Sequence, residues 1–192
     1  TIEFTDALFE RIKHIVHDES IEIGREKGIF PAFDLTQHLK SPYIKRLDKA
    51  VVEKIKKYGI RNAAVLTVPP VGSGSVLAGT SSGVEPIFAL KYVRKSKSLS
   101  KGEFTVQHPI VREYREYMAK KGVGDGQELP NIFVTAHDID PEFRVRMQAA
   151  IQKHIDHAIS STVNLAKEVS VEEVDRIYRL AWKLGCKGIT VY

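Results

Sequence analysis

The sequence has one cysteine in 192 residues, Cys186. A single thiol excludes an internal disulfide, a CxxC redox pair and a cysteine-rich zinc site. It also excludes any mechanism that draws two thiols from this chain, and it fits a reducing, cytoplasmic setting. Long hydrophobic runs are missing as well. No stretch approaches the roughly 20 apolar residues of a membrane-spanning helix, so no membrane partner is expected. Thr1 to Asp6 carries no basic stretch leading into an apolar one, as a secretory signal would, and there is no initiator methionine. The chain opens almost directly into a helical pattern and stops on residues that read as strand, so a fragment or a processed or split chain is expected. The chain has no GxxxxGK[ST] phosphate loop and no HExxH zinc motif. Basic residues interleaved with aromatics are absent too, so no nucleic-acid partner is expected.

The formal charge of +5 is modest for this length. Part of the excess falls in a Ser-punctuated stretch, Lys91, Arg94, Lys95, Lys97 and Lys101, read either as a solvated loop or as a patch facing phosphate or an acidic partner. With 43% hydrophobic residues, the chain can bury one core. The 192 residues read as a single region with no internal boundary.

Apolar periodicity predicts a helix from a Thr5 cap to Gly28, and another from about Ile44 to Tyr58 closed by Gly59. Ala63 to Val68 reads as a strand covered on both faces, and Ile87 to Val93 as extended. Pro109 opens a helix, and Ile132 to Thr135 reads as a strand. Asp140-Pro141-Glu142 starts a helix to about Ala158. Ser160 to Leu165 is a strand, Ser170 to Glu173 a capping box, and Gly188 to Tyr192 a last strand. Strands alternating with helices predict an α/β fold with parallel pairing.

The candidate site is the turn Pro70-Val71-Gly72-Ser73-Gly74-Ser75. Gly72 and Gly74 let the backbone approach a ligand closely, and Ser73 and Ser75 add hydroxyls. Consecutive N–H groups aimed into one concavity bind anions, more so if a short helix begins there. The position after a strand suits a ligand site. The alternative is a tight strand-exit turn with no ligand. A second polar cluster, Thr80, Ser81, Ser82 and Glu85, suits either ribose binding and orientation of the first loop or ordinary capping and turn chemistry. His154 and His157, three apart, lack a third metal ligand and read as solvated helix-face histidines, so no metal site is assigned. His137-Asp138 is read as loop chemistry rather than catalysis, and Cys186 and Trp182 as packing residues. No catalytic residue is named.

Four groups of segments together resemble the adenosylcobalamin-dependent (class II) ribonucleotide reductases, in the C-terminal part of their catalytic chain. They are Pro70 to Ser75 with Ala78 to Pro86; Val134 to Ala136 with Asp140 to Glu142 and Arg146 to Lys153; Ser161 to Leu165; and Leu184 to Tyr192. The resemblance implies the last strands and helices of a ten-stranded α/β barrel. It implies that Pro70 to Ser75 binds the substrate phosphates, with Ser73 and the amides of Val71 to Ser75 as the contacts. The family reaction replaces the ribose 2′-hydroxyl with hydrogen. A cysteine thiyl radical generated through cobalamin starts the reaction, and a cysteine pair supplies the electrons. With one cysteine, Cys186, which lies in the Leu184 to Tyr192 stretch and not in any segment matching the radical or redox cysteines, this chain would supply the phosphate pocket, and an N-terminal portion or second chain would supply the cysteines. The resemblance thus implies a ribonucleotide substrate and adenosylcobalamin in the complete enzyme, and it is compatible with a homo-oligomer. The alternative is a stand-alone, non-catalytic nucleotide-binding or assembly module. Three positions depart from the family pattern: Val71 stands where threonine is usual, Gly74 where a larger aliphatic is, and Ala166 where proline is common.

Overall fold

The computed structural model describes residues 1–95, 103–124 and 128–192; of the basic stretch, Lys97 and Lys101 lie outside the described residues. Helix α1 (Ile2–Lys27) ends at Gly28, whose φ of 84° terminates it. The helix begins earlier than the Thr5 cap implies, because Thr5 N–H already donates to the Thr1 carbonyl. A short helix α2 (Leu35–His38) is capped by the Asp34 side chain. The expected helix from Ile44 is broken: a 3₁₀ turn spans Ile44–Arg46, and α3 runs over Lys49–Tyr58. The break lies at Leu47, which is extended and buries its side chain in the core. Ile21, Tyr43, Ile44, Leu47, Val51, Ile55 and Ile60 form that first core cluster, between α1 and α3.

Helix α6 (Pro141–Gln152) crosses α1 and starts where the sequence placed it, with the Asp140 carboxylate accepting Phe143 N–H at 2.8 Å. It stops short of Ala158 because the Gln152 amide folds back onto the carbonyls of Ile155 and His157. The following strand, β3 (Thr162–Val163), pairs in parallel with β4 (Thr190–Val191), as the alternating pattern implied. Helix α7 (Val171–Lys183) joins them, capped by Ser170. Its inward residues Ile177 and Ala181 meet Val145 and Val163, with Cys186 half-buried beside them. Trp182 is not core: one position beyond Ala181 it turns outward and is 79% exposed.

Two expected strands do not form ladders. Residues 63–68 make only one bridge, parallel, between Val68 and Ile159. The amides of Val65 and Leu66 go instead to the Asp156 carboxylate, at 2.7 Å each. Residues 132–135 form no strand; Ile132 lies in a turn, and Asp138 accepts Thr135 N–H and Oγ1–H, both at 2.7 Å. The segment around Val68 is still sheet-like: its carbonyl accepts Ser160 N–H, and that of Leu66 accepts His157 N–H. Residues 66–68, β3 and β4 therefore run side by side with their carboxyl ends together. Among the described residues no barrel closes.

On the same side, the extended run after Ile87 becomes β1 (Lys91–Lys95), paired antiparallel with β2 (Glu103–Gln107), so the basic stretch is in part a hairpin arm. Helix α5 (Pro109–Lys120) follows, with Pro109 at its first turn. No helix among the described residues is long and apolar enough to cross a membrane.

Candidate functional site

The chain leaves Val68 through Pro69-Pro70 and enters a short helix, α4 (Gly72–Ala78). The helix starts at Gly72, so the first glycine of the turn is its first helical residue. Val71 N–H donates to the Ser82 carbonyl at 2.7 Å, and Ser75 N–H closes onto the Val71 carbonyl. Ser75 is buried, and its hydroxyl donates to the Gly72 carbonyl at 2.8 Å. These two residues shape the turn with their own polar groups. The N–H groups of Gly72, Ser73 and Gly74 have no acceptor among the described residues, and all three residues are exposed. The first N–H groups of any helix lack intrahelical partners, and the helix dipole makes this end positive. A side-chain oxygen usually caps them, but valine at 71 carries none. The five residues of the sequence-level site thus divide into three open donors and two structural supports.

The turn opens onto a cleft of about 790 Å³, within the range of small-molecule sites. Gly72 and Ser75 line one side, with Thr80, Ser81, Ser82 and Glu85 next to them. The carboxyl ends of the parallel segments contribute Thr162, Asn164 and Tyr192 to the floor, and Tyr92, Val106 and His108 come from the hairpin and the start of α5. The position fits the rule that ligands of α/β sheets lie beyond the carboxyl ends of strands.

The second polar cluster shares this cleft. Glu85 Oε1 accepts Thr162 N–H at 2.7 Å. Beneath it lies Arg144, a residue of α6 only 7% exposed. Its guanidinium donates to the Thr162 carbonyl at 2.5 Å and to Asn164 Oδ1 at 3.5 Å. Burial pushes the Arg144 pKa down, and the Glu85 charge opposes that shift.

The other sequence candidates lie apart from the cleft lining. His154 is not a solvated helix-face residue. It follows the end of α6, is 6% exposed, and its Nε2 meets Asp6 Oδ1 at 2.7 Å. His157 is exposed and lies beyond the helix, so the two rings do not share a helical face. No group of three His, Cys, Asp or Glu side chains among the described residues could hold a metal ion. His137 packs edge-on against Phe88, and Asp138 caps its own turn.

Sequence reasoning passed over Arg144, Asn164 and Thr162. The available signal was a stripe at four-residue spacing, Arg144, Gln148 and Gln152, on a helix face otherwise apolar. All three are buried.

Over residues 1–192 the chain matches the family model of the ribonucleotide reductase barrel domain. It belongs to that family. It is 35% identical to a vitamin B12-dependent ribonucleoside-diphosphate reductase of Thermoplasma acidophilum, over 95% of this chain and 24% of the relative. Identity is 32% to the reductase of the same description from Mycobacterium tuberculosis, over 100% of this chain and 27% of the relative. A ribonucleoside-diphosphate reductase subunit alpha of Treponema pallidum is 24% identical over 98% of this chain and 21% of its own length. The reductase-family chain thus spans about a quarter of the length of the curated relatives it matches.

Proposed function

We propose that this chain is the substrate-phosphate-binding part of a cobalamin-dependent ribonucleotide reductase. In that enzyme, acting in the cytoplasm, it grips the phosphates of a ribonucleotide while cysteines elsewhere carry out the reduction to a deoxyribonucleotide for DNA synthesis. The observation that carries the reading is the uncapped start of α4. Gly72, Ser73 and Gly74 present three N–H groups with no acceptor among the described residues at the positive end of a helix, and Gly72 lines a cleft of nucleotide size. Phosphate oxygens are the acceptors such an end recognises. Val71 and Ser75 fix the shape of the turn, and the Ser73 hydroxyl adds a donor at its exposed edge. Thr80, Ser81 and Ser82 supply polar groups for the sugar side of the ligand. The whole of residues 1–192 acts as one region, and its parallel segments form a section of the family's ten-stranded barrel.

Cobalamin, when bound in the complete enzyme, supplies the radical that starts the reaction. The single thiol does not line the cleft, and burial pushes its pKa up, away from the reactive thiolate. The radical and redox cysteines are therefore assigned to a further portion or a second chain, and no step of the reduction is assigned to a residue here.

The test replaces one amide at a time in the complete reductase. Gly72 is the first helical residue, where proline is tolerated, and a Cβ there would meet nothing within 4 Å. Gly72→Pro deletes one N–H donor and little else. It is expected to raise the KM for a ribonucleoside diphosphate about tenfold, the order of one lost charge-assisted hydrogen bond, with kcat little changed. An unchanged KM would remove the α4 cradle from substrate binding. Reduction by the isolated chain, with no second polypeptide present, would overturn the assignment of the thiols.

A further inference from the structure

We infer that Glu85 is the positioning residue of the phosphate cradle, a latch that fixes the three open amides of α4 against the sheet. The inference rests on the reading of α4 as the phosphate grip and adds to it the part that holds the grip in place.

The argument starts at the sheet edge. Ser160 N–H bonds the Val68 carbonyl, in parallel-ladder fashion. Two residues on, Thr162 N–H would need the next acceptor along the same neighbour. That neighbour has already turned away through Pro69 and Pro70 into α4. The Glu85 carboxylate occupies the vacated place, accepting Thr162 N–H at 2.7 Å. Arg144 takes the Thr162 carbonyl from beneath, so both backbone polar groups of this residue are held by side chains.

Two further contacts make the position a built one. A Cβ at Gly83 would collide with Glu85 Oε2, so the carboxylate lies against a residue with no side chain. Three residues before Glu85, the Ser82 carbonyl accepts the N–H of Val71, the residue that enters α4. The other end of the helix is tied to the same loop, since Thr80 N–H donates to the Ser75 carbonyl. The loop from Thr80 to Glu85 therefore connects the helix to β3 at fixed length. A shift of the Glu85 end is transmitted through Ser82 to Val71, and so to Gly72, Ser73 and Gly74. Displacements near 1 Å are enough to spoil a bound geometry. A free carboxylate beside a phosphate would repel it. Here one carboxylate oxygen is committed to the Thr162 N–H, and the Glu85 charge is felt through space by the buried Arg144 guanidinium.

The variants are made in the complete reductase, with KM and kcat for a ribonucleoside diphosphate and the inhibition constant of inorganic pyrophosphate as readouts. Glu85→Ala is expected to raise the KM and the pyrophosphate constant together, about tenfold, with kcat within about twofold, the signature of lost uniform binding. Glu85→Gln keeps an oxygen for Thr162 N–H and is expected to hold the KM within about threefold of the parent. Gly83→Ala retains the carboxylate but displaces it, and is expected to raise the KM part-way; it carries the test if Glu85→Ala does not fold. A Gln variant as deficient as the Ala variant overturns the latch, as does a fall in kcat at unchanged KM. Gly72→Pro separates the two levels. A KM rise there with none in Glu85→Ala or Gly83→Ala overturns the latch and leaves the grip standing. No rise in any of these variants overturns the grip, and the latch with it.

Discussion

Helices α6 and α4 begin in opposite ways. At α6 the Asp140 carboxylate takes Phe143 N–H, Pro141 removes a donor that would otherwise need a partner, and Glu142 adds negative charge at the positive end. At α4 the residue before the helix is a valine, the first turn is Gly-Ser-Gly, and three donors stay open. The side chains differ in the same sense. Arg144, Gln148 and Gln152 of α6 point inward and bond the backbone at Thr162, Gly188, Ile155 and His157. Helix α6 thus commits its polar groups to placing the strands, and α4 leaves the N–H groups of its first three residues exposed. A helix start with unused hydrogen bonds is completed by a ligand or by water, and the contrast is the one the proposed division into scaffold and phosphate grip predicts.

The largest expected effect breaks the scaffold side. Arg144→Ala removes a buried guanidinium and leaves the Thr162 carbonyl and Asn164 Oδ1 without the donor they share. A loss of roughly 3 kcal/mol is expected, the order seen when one member of a buried polar network is deleted. Urea denaturation measures it as a lower midpoint at unchanged slope. The contrast with Gly72→Pro sharpens the comparison, because that variant should lower affinity while leaving the midpoint nearly in place. If both variants lower the midpoint equally, α4 is scaffold too.

A smaller effect compares the two helix entries directly. Asp140→Ala deletes a cap and is expected to cost about 1 kcal/mol. Val71→Ala at the corresponding position of α4 removes no cap, and its expected change stays within about 0.5 kcal/mol. The same denaturation series reads both. Equal losses would mean that Val71 supports the fold through packing that its exposed side chain does not suggest.

The parts of the molecule that the sequence made legible are those fixed locally. The Asp140 and Ser170 caps and the Pro109 entry depend on neighbours within four residues, and they stand where the motifs placed them. Parallel pairing of β3 with β4 followed from strand and helix alternation. The failures came from partners far along the chain. Residues 63–68 carry strand-forming side chains, but Asp156, some ninety positions away, takes their amides. His154 was read as solvated because its partner, Asp6, lies 148 positions earlier. Trp182 reads as a packing residue, but the Ile177 and Ala181 face already fills the contact with β3. At the cleft, the glycines and serines marked the turn. Which amides were open could not be read without Ser82, whose carbonyl takes the Val71 donor. The Arg144, Gln148 and Gln152 stripe was visible as a pattern, but its meaning needed the strand carbonyls it meets.

The smallest effect concerns the contact that ties α1 to the end of α6, and so the scaffold to itself. Asp6 lies beside His154 and Lys153, at 2.7 and 3.3 Å. The hydrogen bond from His154, above all, holds the Asp6 carboxyl below its ordinary value of 3.8 against the opposing cost of burial, with Lys153 adding to the lowering. A carboxylate whose pKa falls on folding binds its proton more readily in the unfolded chain. Its contribution to stability is therefore complete above pH 3.8 and is lost as pH falls through the lower, folded value. Asp6 is more than a third exposed, so solvent screens the interaction and the slope it adds is shallow. Asp6→Asn is expected to flatten the acid limb of the stability–pH curve below about pH 4, the range set by a carboxyl of ordinary reference pKa, while Asp6→Glu restores part of it. An acid limb identical in parent and Asn variant would show that His154 is held by burial alone. The α1–α6 junction would then owe nothing to charge.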